Sequence, residues 1–209
     1  MRLRKKPHTD EKLKLFEDFV TVGEVEPIKK DLTRELFVEL GTGMGDFITQ
    51  IAEQNPQVNF IGLEVEKTCV LSAARKVREK NLGNVRLIVF DVENIAEIFS
   101  EHEVDRLYIN FCDPWPKKRH AKRRLTHERF LEKYKKILKV GGEIFFKTDN
   151  RGLFDFSLEQ FAAAGLEVHD VTNNLHENEP PDNIRTEYEN KFGAAGVPIN
   201  FCVARFADE

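Results

Sequence analysis

An α/β fold, with a mostly parallel sheet and helices on both faces, is predicted by three observations. Short β-rich apolar runs alternate with longer runs whose apolar residues fall at helical spacing. The first strand-like run ends in a glycine turn that leads into a helix. Three successive strand ends carry an acid, at Glu39, Glu64 and Asp91. With 209 residues, 41% of them hydrophobic and 17 of them Phe, the chain can bury a central sheet within one domain.

The elements follow in order. Residues 1–30 read as an arm packed on the domain: a basic run, Met1-Arg2-Leu3-Arg4-Lys5-Lys6, then an amphipathic stretch around Leu13, Leu15, Phe16 and Phe19. The basic run is not followed by the 7–15 apolar residues a signal peptide needs. Residues 31–209 form the domain. Leu36 to Leu40 is the first strand, and the glycine turn after it opens a helix from about Asp46 to Gln54. Phe60 to Glu64 is the second strand, and Val70, Leu71, Ala74 and Val77 mark a helix between Cys69 and Lys80. Val85 to Phe90 is the third strand, with a short helix near Ile95–Phe99, and Leu107 to Phe111 is the fourth. Thr126-His127-Glu128-Arg129 opens a helix carrying Phe130, Leu131, Tyr134, Ile137 and Leu138, which Gly141-Gly142 ends. Glu143 to Thr148 is the fifth strand, followed by a helix from Phe154 to Ala164 closed by Gly165. Val168 to Val171 and Phe201 to Phe206 complete seven strands, and a polar loop, Asn173 to Asn190, separates the last two. A loop of that length is expected to be functional or to belong to an antiparallel hairpin.

Three cysteines, Cys69, Cys112 and Cys202, with no CxxC spacing, argue against a disulfide framework or a zinc site and for a reducing compartment. None of the six histidines shows metal-ligand spacing, so no metal is expected. No apolar run reaches the roughly 18 residues of a membrane span, which makes the cytoplasm the expected location. The net charge of −4 hides an asymmetry. Lys117 to Arg124 holds six Lys/Arg and no acid, and Arg2 to Lys6 adds four more. A polyanion feels such local clusters, because salt screens charges more than about 8–10 Å away.

The most informative stretch is Asp113-Pro114-Trp115-Pro116-Lys117, at the end of the fourth strand. Two prolines around a tryptophan neither continue a strand nor start an ordinary helix, so they make a stiff loop. It holds a carboxylate, a flat indole and a cation where an open α/β sheet binds its ligand. A nucleobase suits such a combination. The turn Glu39-Leu40-Gly41-Thr42-Gly43-Met44-Gly45 and the acid Glu64, 23 residues beyond Gly41, describe a nucleoside cofactor site. Its spacing is G-x-G-x-G rather than the dinucleotide G-x-G-x-x-G, and Asp46 stands where the third dinucleotide glycine would be. An acid at the helix start repels a pyrophosphate, whereas Glu39 suits the amine and sulfonium of S-adenosylmethionine. Asp91 is placed to meet the adenine.

These residues together resemble the bacterial tRNA (guanine-N7-)-methyltransferases over nearly the whole chain. The resemblance is carried by Met1 to Pro7, Glu39 to Gly43, and Asp113 to Lys117 running into Arg119 and Arg123-Arg124-Leu125-Thr126. Phe146-Lys147-Thr148-Asp149-Asn150 and Thr186-Glu187-Tyr188-Glu189 carry the rest. It implies a Rossmann-like class I methyltransferase fold of seven strands, the last antiparallel, that transfers methyl from S-adenosylmethionine to guanine 46 in the tRNA variable loop. By the same resemblance Glu39, Gly41, Gly43, Glu64, Asp91 and Asp113 line the cofactor site, and Asp113 is catalytic. Lys117, Asp149, Thr186, Glu187, Tyr188 and Glu189 contact the substrate, and Arg119, Lys122, Arg123 and Arg124 the RNA backbone. The partner is then tRNA, with no membrane, and the protein acts as a monomer or homodimer. Cys112, where relatives often carry a small hydroxyl residue, and Val140, where Pro commonly precedes the double glycine, depart from the pattern.

Guanine N7 carries a lone pair and no proton, so its methylation requires alignment and charge stabilisation rather than a base. Asp113 suits that stabilising role. Asp149 or Glu189 is placed to accept from guanine N1–H and its amine, and Trp115 or Tyr188 to stack on the ring. Two rivals are an RNA methyltransferase acting on an exocyclic base amine and a non-catalytic tRNA-binding protein on the same fold.

Overall fold

The structure, a computed structural model, describes residues 8–23 and 33–207, without the side chains of residues 187 and 194. The basic run from Met1 to Pro7 lies outside the described residues. The chain forms two compact units, one up to Ile98 and one from Phe99.

In the first unit four parallel strands, β1 (Val20–Val22), β2 (Leu36–Leu40), β3 (Asn59–Glu64) and β4 (Val85–Val89), pair in the order β1-β4-β3-β2. β2 is buried at every position, as a parallel strand covered on both faces must be. Two amphipathic helices cover the sheet. α2 (Asp46–Gln54) buries Phe47, Ile48 and Ile51, and α3 (Lys67–Glu79) buries Val70, Leu71, Ala74 and Val77, each set at helical spacing. The register aligns Leu40 with Leu63 and Glu64 with Val89, so the three strands that precede Gly41, Val65 and Phe90 end at one edge.

β1 is a strand the sequence reading did not foresee. Three residues are too few to show a period, yet Val20 to Val22 pair with Leu87 to Val89 and bring the strands among the described residues to eight rather than seven. The preceding α1 (Thr9–Leu13) and a 3-10 helix, Lys14–Phe16, dock through Leu13 and Phe19. Leu15 faces water at 71% exposure, so the amphipathic stretch is only partly buried. Arg78 clamps this segment: it donates to Asp18 at 2.7 Å and lies over the Phe16 and Phe19 rings. Arg86 donates to the Asp18 carbonyl at 2.7 Å.

The second unit holds β5 (Val104–Asn110), α4 (Glu128–Ile137), β6 (Leu138–Thr148), α5 (Arg151–Ala163), β7 (Leu166–Thr172), α6 (Glu187–Ala194) and β8 (Asn200–Phe206). β5 and β6 are parallel, and β8 runs antiparallel to both β6 and β7. The double glycine does not end the helix, as the sequence suggests. α4 stops at Ile137, β6 starts at Leu138, and Gly141-Gly142 lie inside β6 where the register against β5 shifts. Gly142 fits there because a Cβ would meet the Lys139 carbonyl at 2.9 Å. The segment read as a loop also contains structure: a 3-10 helix, Leu175–Asn178, and the start of α6. Leu175, Ile199, Phe201 and Val203 bury one another there, with Phe111, Phe145 and Phe192 packed against them.

No helix among the described residues is long and apolar enough to cross a membrane. Phe146 is fully buried, with ring centroids 6.1 Å from Phe154 and 6.2 Å from Phe161 on α5. Phe146→Ala is expected to lower unfolding stability by about 3–5 kcal/mol, seen as a lower urea midpoint at unchanged slope.

Candidate active site

The first unit supplies a glycine cradle. Gly41 and Thr42 both donate their N–H to the Leu63 carbonyl of β3, at 2.9 and 3.1 Å, which bends the chain as it leaves β2. Gly43 (φ 56) and Gly45 (φ 84) take the left-handed conformation that glycine adopts without strain. Their surroundings differ. A Cβ on Gly45 would stand 2.5 Å from that of Ala73, so this glycine lets α2 and α3 approach closely; a Cβ on Gly41 or Gly43 would meet open space. A ligand can therefore reach the backbone at Gly41 and Gly43.

The acids around this cradle differ in exposure. Glu39 is buried on β2, at 4% exposure, beside Gly62 of β3. Glu64 accepts from the Gly43 N–H at 3.0 Å with one carboxylate oxygen and from the Glu66 N–H at 2.9 Å with the other. Each oxygen accepts one of these bonds and has capacity to accept a second. Asp91 caps the 3-10 helix Val92–Glu97 by accepting from the Glu93 N–H at 2.9 Å. One expectation changes: Asp46 is not a bare anion at the start of α2, because Lys76 pairs with it at 2.7 Å. Repulsion by Asp46 alone is thus a weaker argument against a pyrophosphate than the sequence suggested.

The second unit presents Asp113. After β5 the chain continues one further ladder bond, from the Phe111 N–H to the Lys147 carbonyl, and then leaves the sheet. Phe111 (φ 52) and Trp115 (φ 40) are both left-handed, a conformation costing a bulky residue on the order of 1–3 kcal/mol. Between these two bends Asp113 is exposed. The 3-10 helix Lys118–Arg123 follows, and Lys117, Lys118, Arg119, Lys122 and Arg123 are all exposed on it or at its start.

Two of the residues expected to meet substrate are turned to other work. Arg124, expected on the RNA backbone, points inward: Nε donates to the Pro114 carbonyl at 3.0 Å and Nη2 to the Trp115 carbonyl at 3.1 Å. The Trp115 ring is covered by the Arg123 guanidinium at 4.8 Å and met edge-on by His120. Tyr188 is therefore the more open aromatic surface, 58% exposed and stacked at 18° on Phe111, with Phe192 beyond it.

Asp149 is half-buried at the end of β6, just before Asn150 caps α5. Glu189, the alternative reader of a base edge, is fully buried. Its carboxylate accepts from His176 Nε2 at 3.0 Å, Asn183 Nδ2 at 2.9 Å and the Lys147 ammonium at 3.2 Å. Thr186 is also buried, and with Glu189 it forms a reciprocal cap on α6. The T-x-x-E spacing was a legible helix-start signal, and it places both residues in the frame of this segment. The side chain of Glu187 lies outside the described residues.

The fold also gathers what the sequence scattered. His176, Glu179 and Glu189 bring ligand-type atoms within 4.8 Å of one another, though no spacing between them suggested it. Lys147 and Arg185 already supply positive charge to that group. The Arg185 guanidinium, hydrogen-bonded to Glu179, holds that carboxyl at about 2. Burial pushes the Cys112 and Cys202 thiols up to about 12; burial, then Glu64 and Glu66, push Cys69 to about 11. All three are free, and thiols that burial keeps protonated do not suit a thiolate nucleophile.

A family model described as "Putative methyltransferase" matches residues 33–202. The tRNA (guanine-N(7)-)-methyltransferase of Macrococcus caseolyticus is 46% identical over 99% of this chain and 100% of its own length. That of Staphylococcus carnosus is 47% identical with the same coverage. Among solved structures, the 16S rRNA methyltransferase KamB matches with a TM-score of 0.66 at 13% identity, over 91% of this chain and 99% of its own, a likeness of fold.

Because its folded pKa is depressed, Glu179 contributes stability above the ordinary carboxyl value of 4.5 and loses it as the pH falls toward about 2. Glu179→Gln is expected to remove that part of the acid sensitivity, read as a flatter dependence of thermal midpoint on pH between those values.

Proposed function

The chain belongs to the tRNA (guanine-N(7)-)-methyltransferase family, and from that membership we propose that it transfers a methyl group to N7 of a guanine in tRNA. By the family resemblance the target is guanine 46 of the variable loop, and the reaction takes place in the cytoplasm. Residues 31–209 carry the catalysis, with residues 1–30 as an arm packed on them, whose Val20–Val22 joins the sheet as β1.

The methyl donor of this reading is S-adenosylmethionine, which when bound supplies an electrophilic methyl group on a sulfonium. The first unit fits such a molecule. The open space over Gly41 and Gly43 admits it to the backbone. The buried Glu39 carboxylate complements its cationic end, and the remaining acceptor capacity of Glu64 suits ribose hydroxyls. Asp91 stands at the next strand end for the adenine.

The observation that carries the reading is the setting of Asp113. It is an exposed carboxylate held between two left-handed bends, in the same unit as an open tyrosine stack and a ridge of five cations. N7 has no proton to lose, so Asp113 acts by stabilising the positive charge that spreads into the purine as the new N–C bond forms and the S–C bond breaks, its electron pair staying on sulfur. Tyr188 offers a face on which an extruded base can stack. Asp149 is the acid left to accept from guanine N1–H and the exocyclic amine, since the Glu189 carboxylate is enclosed. Adenine presents no such donor pair. Lys117, Arg119, Lys122 and Arg123 remain as phosphate contacts.

Incubating the protein with labelled donor and bulk tRNA, followed by digestion and mass spectrometry, is expected to give 7-methylguanosine. Label on an exocyclic amine would establish the rival chemistry, and donor that binds without transfer would establish a binding protein. Asp113→Asn is expected to lose most methyl transfer while donor binding, measured by calorimetry, largely survives.

A further inference from the structure

Arg124 sits among six Lys/Arg in eight residues but does not share their setting. Its neighbours Lys122 and Arg123 are exposed, whereas Arg124 is half-buried. Its guanidinium plane lies 4.2 Å from the Phe156 ring of α5. Two of its nitrogens donate to successive carbonyls, those of Pro114 and Trp115. A planar fork is suited to such a pair of acceptors, and an ammonium is not.

The loop needs an outside donor for a reason written in its sequence. Pro114 and Pro116 have no N–H, so the loop is short of internal donors for its carbonyls. Its bends at Phe111 and Trp115 are strained and persist only if something else fixes them. Arg124 can fix them because its carbonyl accepts from the His127 N–H at 3.0 Å and the two residues after it are anchored. Tyr134 donates to the Leu125 carbonyl at 3.0 Å, and the Thr126 and Ser157 hydroxyls meet at 2.7 Å in the core. The α4–α5 framework thus reaches the Pro114 and Trp115 carbonyls through the Arg124 side chain.

We propose that Arg124 is a positioning residue: its grip on the Pro114 and Trp115 carbonyls fixes the direction of Asp113, and it does not contact the RNA backbone. The claim rests on the reading of Asp113 above and adds a specific division of labour among the clustered cations. Lys122 and Arg123 hold RNA; Arg124 holds the loop.

Arg124→Gln is expected to lower kcat at saturating tRNA by about 100-fold, the scale of a misplacement near 1 Å. Affinity for tRNA and its salt slope should stay as in the wild type, and millimolar guanidinium should restore part of kcat. Arg123→Gln should instead weaken tRNA binding and lower the salt slope by roughly one. A retained kcat with a lowered salt slope in Arg124→Gln would overturn the proposal. Should that variant fail to fold, Arg124→Lys decides, since it keeps the charge but cannot span two carbonyls: a fall in kcat at unchanged tRNA affinity supports the clamp, and an unchanged kcat refutes it. Trp115, the chain's one tryptophan, gives a readout independent of Asp113. Its emission should become more quenchable by acrylamide in either folded Arg124 variant, and unaltered quenching counts against the clamp. If Asp113→Asn turns over like the wild type while Trp115 is loosened, the role given to Asp113 is wrong and the clamp stands.

Discussion

A parallel sheet covered by helices on both faces can offer a ligand only the ends of its strands, because its remaining backbone groups are spent on neighbouring strands. The candidate acids outside α6 follow from that constraint. Glu39, Glu64 and Asp91 sit on or just beyond β2, β3 and β4, and Asp113 and Asp149 just beyond β5 and β6. What differs between the strand ends is the way the chain turns there. At β2 glycines make the bend without cost and leave space over the backbone. At β5 the bend is made by Phe111 and Trp115, residues that resist it, so the loop depends on support from outside itself.

Charge is organised by the same division between display and support. Five cations stand exposed along the 3-10 helix after the loop, where a polyanion can meet them. The more enclosed cations are structural: Lys147, at 5% exposure, is matched to Glu189 at the end of β6, and Arg124 to two carbonyls. Removing one member of an enclosed pair leaves the other without compensation, which is why such residues look essential without touching substrate. Thr186 and Glu189 belong to this supporting set, and Tyr188 between them is the residue they hold out to solvent.

Much of this was legible in the chain itself. Helical spacing placed α2, α3, α4 and α5, and β-rich apolar runs placed the strands from β2 on, because burial imposes a period; β7, largely exposed, showed only its Val168 to Val171 stretch. β1 escaped, being three residues long and defined by its pairing with β4. The double glycine read as a helix stop because glycine commonly closes helices; only the β5 partner reveals a bulge. At the site, residue type was readable and direction was not. Arg123 and Arg124 are identical letters, and long-range partners, a tryptophan ring for one and loop carbonyls with Phe156 for the other, separate them. The enclosure of Glu189 by His176, Asn183 and Lys147 likewise depends on contacts that no local pattern encodes.

The placement of Asp113 is tested most directly by a crystal structure of the protein with S-adenosylhomocysteine and a guanine-containing tRNA fragment. An Asp113 carboxylate within about 3.2 Å of the base or its immediate partners, with Arg124 still on the Pro114 and Trp115 carbonyls, is the expected result. An Asp113 turned to solvent with Arg124 seated on a phosphate would contradict it.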